Sequence, residues 1–175
     1  FTALQRVLPA LDRDLRVPVL VCCHTGSADV SLLVELLGRV SSLPVTEARE
    51  RAPAEPGVVH VAPSGYHLLV EENLRFSLSV DARVSFARPS IDVLFETAAD
   101  AYGKSLAGIL LTGANYDGAA GLAGMKLAGG LTVVQDPATA EVPTMPEAAI
   151  RRMAPDLILP LAEIHSLLQR LGERR

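Results

Sequence analysis

Tryptophan is missing from the 175 residues, and aromatic residues make up only 4% of the chain. We therefore expect a hydrophobic core built from Val, Leu, Ile and Ala. No apolar run approaches the roughly 18 residues that a membrane-spanning helix needs, which argues against direct membrane insertion. The net charge is −4 and long basic blocks are lacking, which argues against nucleic acid as the main partner.

Cysteine is almost as scarce, because the chain has only the adjacent pair Cys22 and Cys23. Neighbours on a strand point to opposite faces, so no structural disulfide between them is expected. Two thiols without a disulfide framework fit a reducing compartment, and no secretory signal peptide is recognisable, so we expect a cytoplasmic protein. The spacing offers no four clustered zinc ligands, and we expect neither a metal nor another cofactor.

The remaining composition, 49% hydrophobic and 21% charged, is typical of a globular protein, and the length predicts one domain, residues 1–175. Apolar runs rich in β-branched residues alternate with helical patterns. Strands are predicted at 17–24, 43–49, 57–63, 106–112, 131–136 and 157–161, helices at 2–11, 27–40, 90–103, 118–127, 145–154 and 162–172, and an antiparallel hairpin at 66–80. This order predicts an α/β fold: a doubly wound, mostly parallel sheet with helices on both faces.

The helix predicted at 2–11 is irregular in one respect, because only Phe1 precedes it. A helix that leads into a parallel strand normally follows another strand through a right-handed crossover. The chain also begins without a Met, and we expect its natural start to lie upstream. The first strand of the fold is therefore expected to be missing from this chain, and the strand at 17–24 is expected to have an open side.

Two polar residues follow strands at what should be the same edge of the sheet. His24 ends the strand 17–24, and Asp117 lies in the loop just past the end of the strand 106–112. Because ligands bind outside the carboxyl ends of parallel strands, we expect the two side chains to lie within about 3 Å of each other. Such a pair forms the orienting half of a nucleophilic triad. Gly113, Ala114 and Asn115, which precede Asp117 in the same loop, form the candidate oxyanion or substrate loop.

Structural roles for the same residues stay open at this stage. His24 could be a hydrogen-bonded residue at a strand end, and Asp117 could cap the helix that follows it. The capping role is compatible with the triad, since a capping Asp can also hold a histidine. The other three histidines, His60, His67 and His165, lie within strand or helix patterns and are interpreted as structural.

The nucleophile is harder to place. Cys22 shares a face with His24, but residues two apart on a strand are roughly 6 to 7 Å apart, beyond hydrogen-bond reach. Ser27 follows His24 closely, although capping the next helix suits it better. Thr112 is no better supported. No hydroxyl within the chain is a convincing partner for the histidine.

These residues occur in segments that resemble the catalytic domain of the CheB-type chemotaxis methylesterases. The matching segments are "VLVCCH" ending in His24, "GVVHVAPSGYHLLVE" (57–71), "RPSIDVLFETAADAYG" (88–103) and "GILLTGANYDGAAGLAGMKLAGGLTVVQDPATAEVPTMPEAAI" (108–150). The resemblance extends from about Thr2 to Leu168. It implies a Ser-His-Asp triad in which the histidine is His24 and the aspartate is Asp117, while the serine sits in a turn that would fall before Phe1.

The resemblance also implies a function. The family hydrolyses glutamyl methyl esters on chemoreceptors, and some members deamidate receptor glutamines. We therefore expect a stand-alone methylesterase without a receiver domain, whose partner is a methyl-accepting chemoreceptor or a related signalling protein. The alternative is a catalytically inactive module that binds the same partners. Asp117→Asn is expected to reduce activity strongly and to leave the fold intact.

This chain departs from the family pattern at three places. "TGSAD" follows His24 where many members have Pro-rich residues, and Ala87 stands where many have His. Ala114, Asn115 and Tyr116 replace a Met-Gly-polar run. These departures concern substrate fit and rate more than the fold.

Overall fold

A computed structural model describes residues 1–24 and 29–173. Six α-helices and eight strands occur within those residues. The helices are α1 (Thr2–Val7), α2 (Ser31–Gly38), α3 (Ile91–Tyr102), α4 (Ala119–Leu127), α5 (Thr144–Arg152) and α6 (Leu161–Glu173). The strands are β1 (Val19–Val21), β2 (Val45–Glu47), β3 (Val59–Val61), β4 (His67–Val70), β5 (Phe76–Ser79), β6 (Ala107–Leu110), β7 (Leu131–Gln135) and β8 (Leu157–Leu159).

The strands form two parallel sheets and one antiparallel hairpin. The first sheet has the order β1-β3-β2 and the second has the order β6-β7-β8. The hairpin pairs β4 with β5, so that His67 lies opposite Ser79 and Val70 opposite Phe76. The predicted α/β class, the mostly parallel pairing and the antiparallel hairpin are confirmed.

Helices cover both faces of the second sheet, as side-chain alternation along its strands shows. Ile109 and Val133 pack with side chains of α1 and α6, whereas Leu110 and Val134 pack with α3, α4 and α5. Because successive strand residues point to opposite faces, a sheet that helices cover on both faces needs consecutive apolar residues such as Val133 and Val134.

Some strands and helices are shorter than predicted, because the apolar sequence pattern extends beyond the residues that make regular hydrogen bonds. The strand predicted at 17–24 pairs only over Val19–Val21. The helix predicted at 27–40 begins at Ser31, whose N–H donates to the Asp29 carboxylate (2.8 Å), which holds a turn before the helix. The helix predicted at 2–11 ends as a 3₁₀ turn over Leu8–Ala10, where Pro9 brings no N–H to an α-helical bond.

Within the described part of the chain, β1 pairs only with β3 and β6 pairs only with β7. The prediction that the strand at 17–24, observed as β1, has an open side is therefore confirmed. The free sides of β1 and β6 border one groove with a volume of about 590 Å³. Side chains of α1 close one wall of this groove and side chains of α3 close the other. Across residues 1–24 and 29–173, no helix is both long and apolar enough to cross a bilayer.

Candidate active site

His24 and Asp117 lie side by side at the end of the groove. The distance from His24 Nε2 to Asp117 Oδ2 is 2.7 Å. The Asp117 side chain is fully buried, while that of His24 is 27% exposed. The contact predicted from the ends of two strands 93 residues apart is confirmed. It fixes the orientation of an imidazole ring that solvent or a substrate can still reach.

Asp117 also caps a helix, but a different one from the helix that follows it. Its Oδ1 accepts from Ser90 Oγ (2.7 Å) and Asp92 N (3.0 Å), and its Oδ2 accepts from Ile91 N (2.7 Å) as well as from His24. These are the first amides of α3. The helix α4 begins at Ala119, and its N-cap residue is Gly118, which has no side chain that could cap it. The interpretation of Asp117 as the cap of its own following helix is therefore wrong.

These hydrogen bonds keep the carboxylate ionised although it is buried. Burial alone would raise the pKa of Asp117, but hydrogen bonds from His24, Asp92, Ile91 and Ser90 outweigh it and the net pKa is lowered. A charged carboxylate is what stabilises an imidazolium ion beside it. Because of the same hydrogen bonds, we expect Asp117→Asn to lower the free energy of unfolding as well as activity.

The N-terminus of α4 is capped in turn by a residue of α3. Asp92 Oδ1 accepts from the N–H of Gly121 (2.7 Å). Burial raises the pKa of Asp92, and the nearby Asp117 charge adds to the effect, against hydrogen bonds from the first amides of α4. A Cβ on Gly121 would lie 2.8 Å from Asp92 O. The two helices therefore approach closely, and each aspartate satisfies the exposed amides of the other helix.

His67, which the sequence indicated only as structural, supports the Asp117 carboxylate indirectly, through Ser90. Its Nδ1 accepts from the N–H of Ser90 (3.2 Å), so Nε2 carries the hydrogen and donates to Ala82 O (2.9 Å). Ser90 in turn holds Asp117 through its hydroxyl. Sequence patterns identified Ser90 as the start of α3 but gave no sign of this connection, because it joins residues on three separate segments.

The two remaining histidines have structural contacts, in line with their interpretation. His60 Nε2 accepts from Glu55 N (3.1 Å), and its ring lies edge-on to Phe76 at 4.9 Å. Burial lowers the pKa of His60, which favours the neutral ring that this hydrogen bond needs. His165 Nδ1 lies 3.0 Å from Arg6 O and links α6 to α1.

Asn115 lies on the other side of the His24 ring. Its Oδ1 accepts from Asp117 N (3.0 Å), which turns its amide nitrogen toward His24 Nδ1 at 3.4 Å. A carboxylate can only accept, so His24 Nε2 is the protonated nitrogen and Nδ1 keeps its lone pair. The 3.4 Å contact to Asn115 is at the long end of the hydrogen-bond range, and it leaves Nδ1 only weakly engaged.

The nucleophile candidates within the chain are poorly suited to the role. The Thr112 hydroxyl is occupied on both sides, since it donates to Val142 O (3.0 Å) and accepts from Val142 N (2.8 Å). Burial, together with the Asp117 charge, raises the pKa of the Cys22 thiol well above its usual value and disfavours the thiolate. Cys22 and Cys23 are free and pack into different core clusters, as expected for opposite faces. Ser27 lies outside the described residues.

The predicted oxyanion loop divides into two parts. The N–H of Gly113 donates to Val142 O (3.1 Å), so this amide is not open to an oxyanion. Gly113 has a packing role, because a Cβ there would lie 2.5 Å from Met145 Cε. The amides of Ala114 and Asn115 make no hydrogen bond within residues 1–24 and 29–173, and both residues line the groove. Only these two keep the geometry that the prediction requires.

The described residues around His24 and Asp117 do not form a metal-binding site. Within the part of the chain that the structure describes, no group of three or more His, Cys, Asp or Glu side chains is placed to hold an ion. The arrangement at the groove is instead a protonatable ring held by a buried charge, with free backbone amides nearby. That combination is typical of acyl-transfer enzymes.

Comparison with known proteins decides the family. The model of the CheB methylesterase family matches residues 1–168. The chain belongs to the CheB methylesterase family. A putative protein-glutamate methylesterase/protein-glutamine glutaminase of Leptospira interrogans is 43% identical over 171 residues, which cover 98% of this chain and 89% of that protein. The relatives of this chain are named protein-glutamate methylesterases, which are carboxylic ester hydrolases.

Longer proteins and a solved structure give the same assignment. A protein-glutamate methylesterase/protein-glutamine glutaminase of Symbiobacterium thermophilum is 37% identical over 172 residues, and the match covers 98% of this chain but only 48% of that protein. The crystal structure of the CheB methylesterase catalytic domain of Thermotoga maritima superposes with a TM-score of 0.92 at 28% identity. That superposition covers 97% of this chain and 92% of the Thermotoga chain.

Proposed function

We propose that this chain supplies the histidine and the aspartate of a Ser-His-Asp active site that hydrolyses γ-methyl esters of glutamate side chains in proteins. The observation that carries the proposal is the 2.7 Å contact between His24 and the buried Asp117 carboxylate at the end of an open groove. Membership of a family whose relatives are named protein-glutamate methylesterases supplies the reaction.

In this proposal His24 Nδ1 is the general base. Nε2 is committed to Asp117, so the lone pair on Nδ1 is the one that can take a proton. Asn115 lies beside Nδ1 at 3.4 Å, and its amide can keep the ring in place until a nucleophile hydroxyl takes over the contact. Asp117 then stabilises the imidazolium, as the carboxylate of a triad does.

The nucleophile in this proposal is a serine carried upstream of Phe1 on a parallel strand between β1 and β6. Two facts support this placement. Both strands have an unpaired side on the groove among the described residues, and the contact of His24 with Asp117 brings their carboxyl ends to one rim. A residue directly after a parallel strand seated there would lie next to His24, where ligands bind in open parallel sheets.

The reaction then follows in two steps. The serine hydroxyl gives its proton to His24 Nδ1 and its oxygen attacks the ester carbonyl carbon, after which the C–O bond breaks and methanol leaves with the proton from His24. Water then gives a proton to His24 and attacks the carbonyl carbon of the glutamyl-serine ester. The bond from that carbon to the serine oxygen breaks, the serine oxygen takes the proton from His24, and the glutamate side chain leaves as a carboxylate. With glutamine as substrate, ammonia leaves in place of methanol.

Ala114 and Asn115 are the residues we assign to oxyanion stabilisation. Their N–H groups are without a partner in the described parts of the chain, and both residues line the groove beside His24. Amide donors aimed at the developing negative charge lower the barrier of acyl transfer, and the loss of one typically costs about 10²-fold in kcat. Gly113 is left out of this assignment because its N–H is engaged.

The substrate protein in this proposal is a methyl-accepting chemoreceptor or a related signalling protein, and the site of action is the cytoplasm. The relatives' names support protein glutamate and glutamine residues as the groups acted on. Among relatives, the match to the protein-glutamate methylesterase FrzG of Myxococcus xanthus, 35% identical over 166 residues, points the same way.

A serine-directed fluorophosphonate probe tests the proposal on the natural full-length protein. The expected result is one covalent adduct, mapped by mass spectrometry to a serine upstream of Phe1, that is lost in the His24→Ala variant. An adduct on Cys22 or Thr112 would contradict the assignment of the nucleophile. If no adduct forms while the protein still binds a methylated receptor, the inactive binding module is the correct description.

A further inference from the structure

A strained turn exposes an aromatic ring near the candidate site. Val84 and Ala87 exchange both backbone hydrogen bonds (3.1 and 2.8 Å) around a two-residue turn. Ser85 and Phe86 occupy that turn with φ values of 51° and 66°. Such turns favour glycine or asparagine, and a bulky residue there is strained. Phe86 is nevertheless 81% exposed, so burial of its ring does not offset the strain.

Hydrogen bonds connect the segment that carries this turn to Ser90, which contacts Asp117. A guanidinium nitrogen of Arg88 donates to the carbonyls of Val80 (2.6 Å) and Asp81 (3.0 Å). His67, which also accepts from Ser90 next to Asp117, donates to Ala82 O. The exposed ring is therefore presented by a braced segment that shares its support with the buried carboxylate.

A second cavity, of about 350 Å³, lies beside this turn. It is lined by Ser85, Asp92, Tyr116, Ala119, Ala120, Ala148, Arg151 and Arg152. Tyr116 is 53% exposed and directly follows Asn115, which lines the groove. The loop at 113–117 thus separates the groove from this cavity. Residues of a substrate that flank the group bound at His24 can reach the cavity by crossing Tyr116.

The mouth of the cavity is positively charged in a chain whose net charge is −4. Arg151 makes one loose ion pair, 3.4 Å from Glu147 on the same helix. Arg152 has no carboxylate within ion-pairing distance among residues 1–24 and 29–173. Asp92 in the cavity wall is engaged with the amide of Gly121. Arg152, and Arg151 beyond its loose pair with Glu147, can therefore bind an external carboxylate, a group that arginine binds well.

Helix electrostatics account for part of this arrangement only. Arginines in the last turn of α5 interact favourably with the helix dipole. That effect explains neither the exposed Phe86 ring on a strained turn nor the exposed Tyr116 ring across the cavity. An acidic peptide explains all three features, because its carboxylates suit the arginines and its aliphatic side-chain portions suit the two rings.

We propose that Arg151, Arg152, Tyr116 and Phe86 form a recognition surface for an acidic segment of the substrate protein, next to the glutamyl ester being hydrolysed. This inference rests on the proposed function, because it assumes an ester at His24. Carboxylate side chains that flank the ester bind the two arginines, and the aromatic rings pack on the intervening methylene groups. The surface thereby determines which glutamyl esters are accepted.

Paired peptides test this surface with the natural full-length protein. Each peptide carries one glutamate γ-methyl ester, flanked by Glu in one and by Gln in the other. We expect kcat/KM to be about threefold to tenfold higher for the Glu-flanked peptide at low salt, and the preference to shrink at high salt. Arg151→Gln combined with Arg152→Gln should remove the preference, while Arg13→Gln combined with Arg16→Gln, a matched loss of two exposed charges before β1, should keep it. Equal rates for both peptides in the wild type, or an unchanged preference in the double variant, would overturn the proposal.

Phe86→Gly separates recognition from folding. Glycine tolerates a positive φ, so the variant should have a raised Tm. It should lose about threefold to tenfold in kcat/KM on either peptide, although it is at least as stable as the wild type. A variant that is more stable and still hydrolyses both peptides as the wild type does would exclude a role for this ring.

A binding measurement keeps the inference separate from the proposed hydrolysis. The same peptides, with methionine in place of the esterified glutamate and with a fluorescent label, are titrated with the protein and followed by anisotropy. If the wild type hydrolyses no ester but still binds the Glu-flanked peptide more tightly, the reaction is wrong and the surface stands. If it hydrolyses both esters equally and binds both peptides equally, the reaction stands and the surface is wrong.

Discussion

Asp92 and Asp117 cap each other's helices: Asp117, which precedes α4, caps α3, and Asp92, in the first turn of α3, caps α4. Asp117, at the end of the loop that leads into α4, accepts from the first amides of α3, and Asp92, in the first turn of α3, accepts from Gly121 in α4. The exchange locks the two helix N-termini together. It also holds the carboxylate that orients His24, so the candidate site depends on the packing of α3 against α4.

Gly121→Ala should test this packing directly. A Cβ at Gly121 would meet Asp92 O at 2.8 Å and Asp92 Cα at 2.9 Å, which are backbone atoms that cannot rotate away. We expect a loss of about 1–3 kcal/mol in the free energy of unfolding, measured by urea denaturation. Gly124→Ala is the control on the same helix, because no heavy atom lies within 4 Å of its added Cβ. That variant should gain about 0.5–1 kcal/mol from helix propensity. Equal effects would mean that the close approach does not constrain the fold.

Asp117→Asn should lower stability as well as activity. Each carboxylate oxygen accepts from a backbone N–H of α3, at Ile91 and at Asp92, so an amide NH₂ group must face one of these donors. We expect a cost of about 1–3 kcal/mol in the free energy of unfolding, from an unsatisfied buried donor and the lost charge. His24→Ala is the comparison, since His24 is partly exposed, and it should cost much less. An Asp117→Asn variant as stable as wild type would show that the cap contributes little.

Asp156 gives a prediction about acid stability. Hydrogen bonds from Thr132 and Lys126 lower its pKa from 3.8 to about 2. A folded-state pKa below the unfolded one means that the contribution is present above pH 3.8 and is lost as the pH falls through about 2. Asp156→Ala should therefore cost about 1 kcal/mol at pH 7, after allowance for solvent screening, and almost nothing near pH 2. Urea denaturation at several pH values measures this. Glu72→Ala, an exposed change in the hairpin turn, is the control and should keep wild-type stability at pH 7.

Cys22→Ala should leave methyl-ester hydrolysis within about twofold of wild type. The thiol is buried and its pKa is raised by burial and by the Asp117 charge, so it is a poor nucleophile at neutral pH. Hydrolysis rates of the purified full-length variant measure the effect. A Cys22→Ala protein that has lost activity but unfolds at the wild-type urea concentration would identify a thiol enzyme and refute the assignment of the nucleophile.

The sequence predicted the parts of the site that depend on the order of elements. His24 and Asp117 could be paired because each follows a strand of a parallel sheet, and the topology brings such positions to one rim. The open side of β1 followed from a helix without a preceding strand. Strand lengths were less well predicted, since apolar residues at 17–24 continue past the hydrogen bonds of Val19–Val21.

The support around Asp117 could not be predicted, because it depends on how distant segments pack. Asp92 belongs to a helix whose apolar stripe was evident, but nothing in that pattern shows that its carboxylate reaches the amide of Gly121, 29 residues away. The capping role of Asp117 was assigned to the nearest helix, which local sequence favours, whereas close packing of α3 and α4 placed another N-terminus nearer. His67 likewise gains its role only from contact with Ser90.

Methanol release from a methylated receptor fragment tests the central claim most directly. The natural full-length protein and its His24→Ala variant are compared at equal concentration, after both are shown to be folded by their urea denaturation midpoints. The account predicts release by the wild type and a loss of about 10³-fold or more in the variant, because the nucleophile then lacks its base. Release by His24→Ala at the wild-type rate would contradict the account, as would a folded wild-type protein that binds the fragment and releases no methanol.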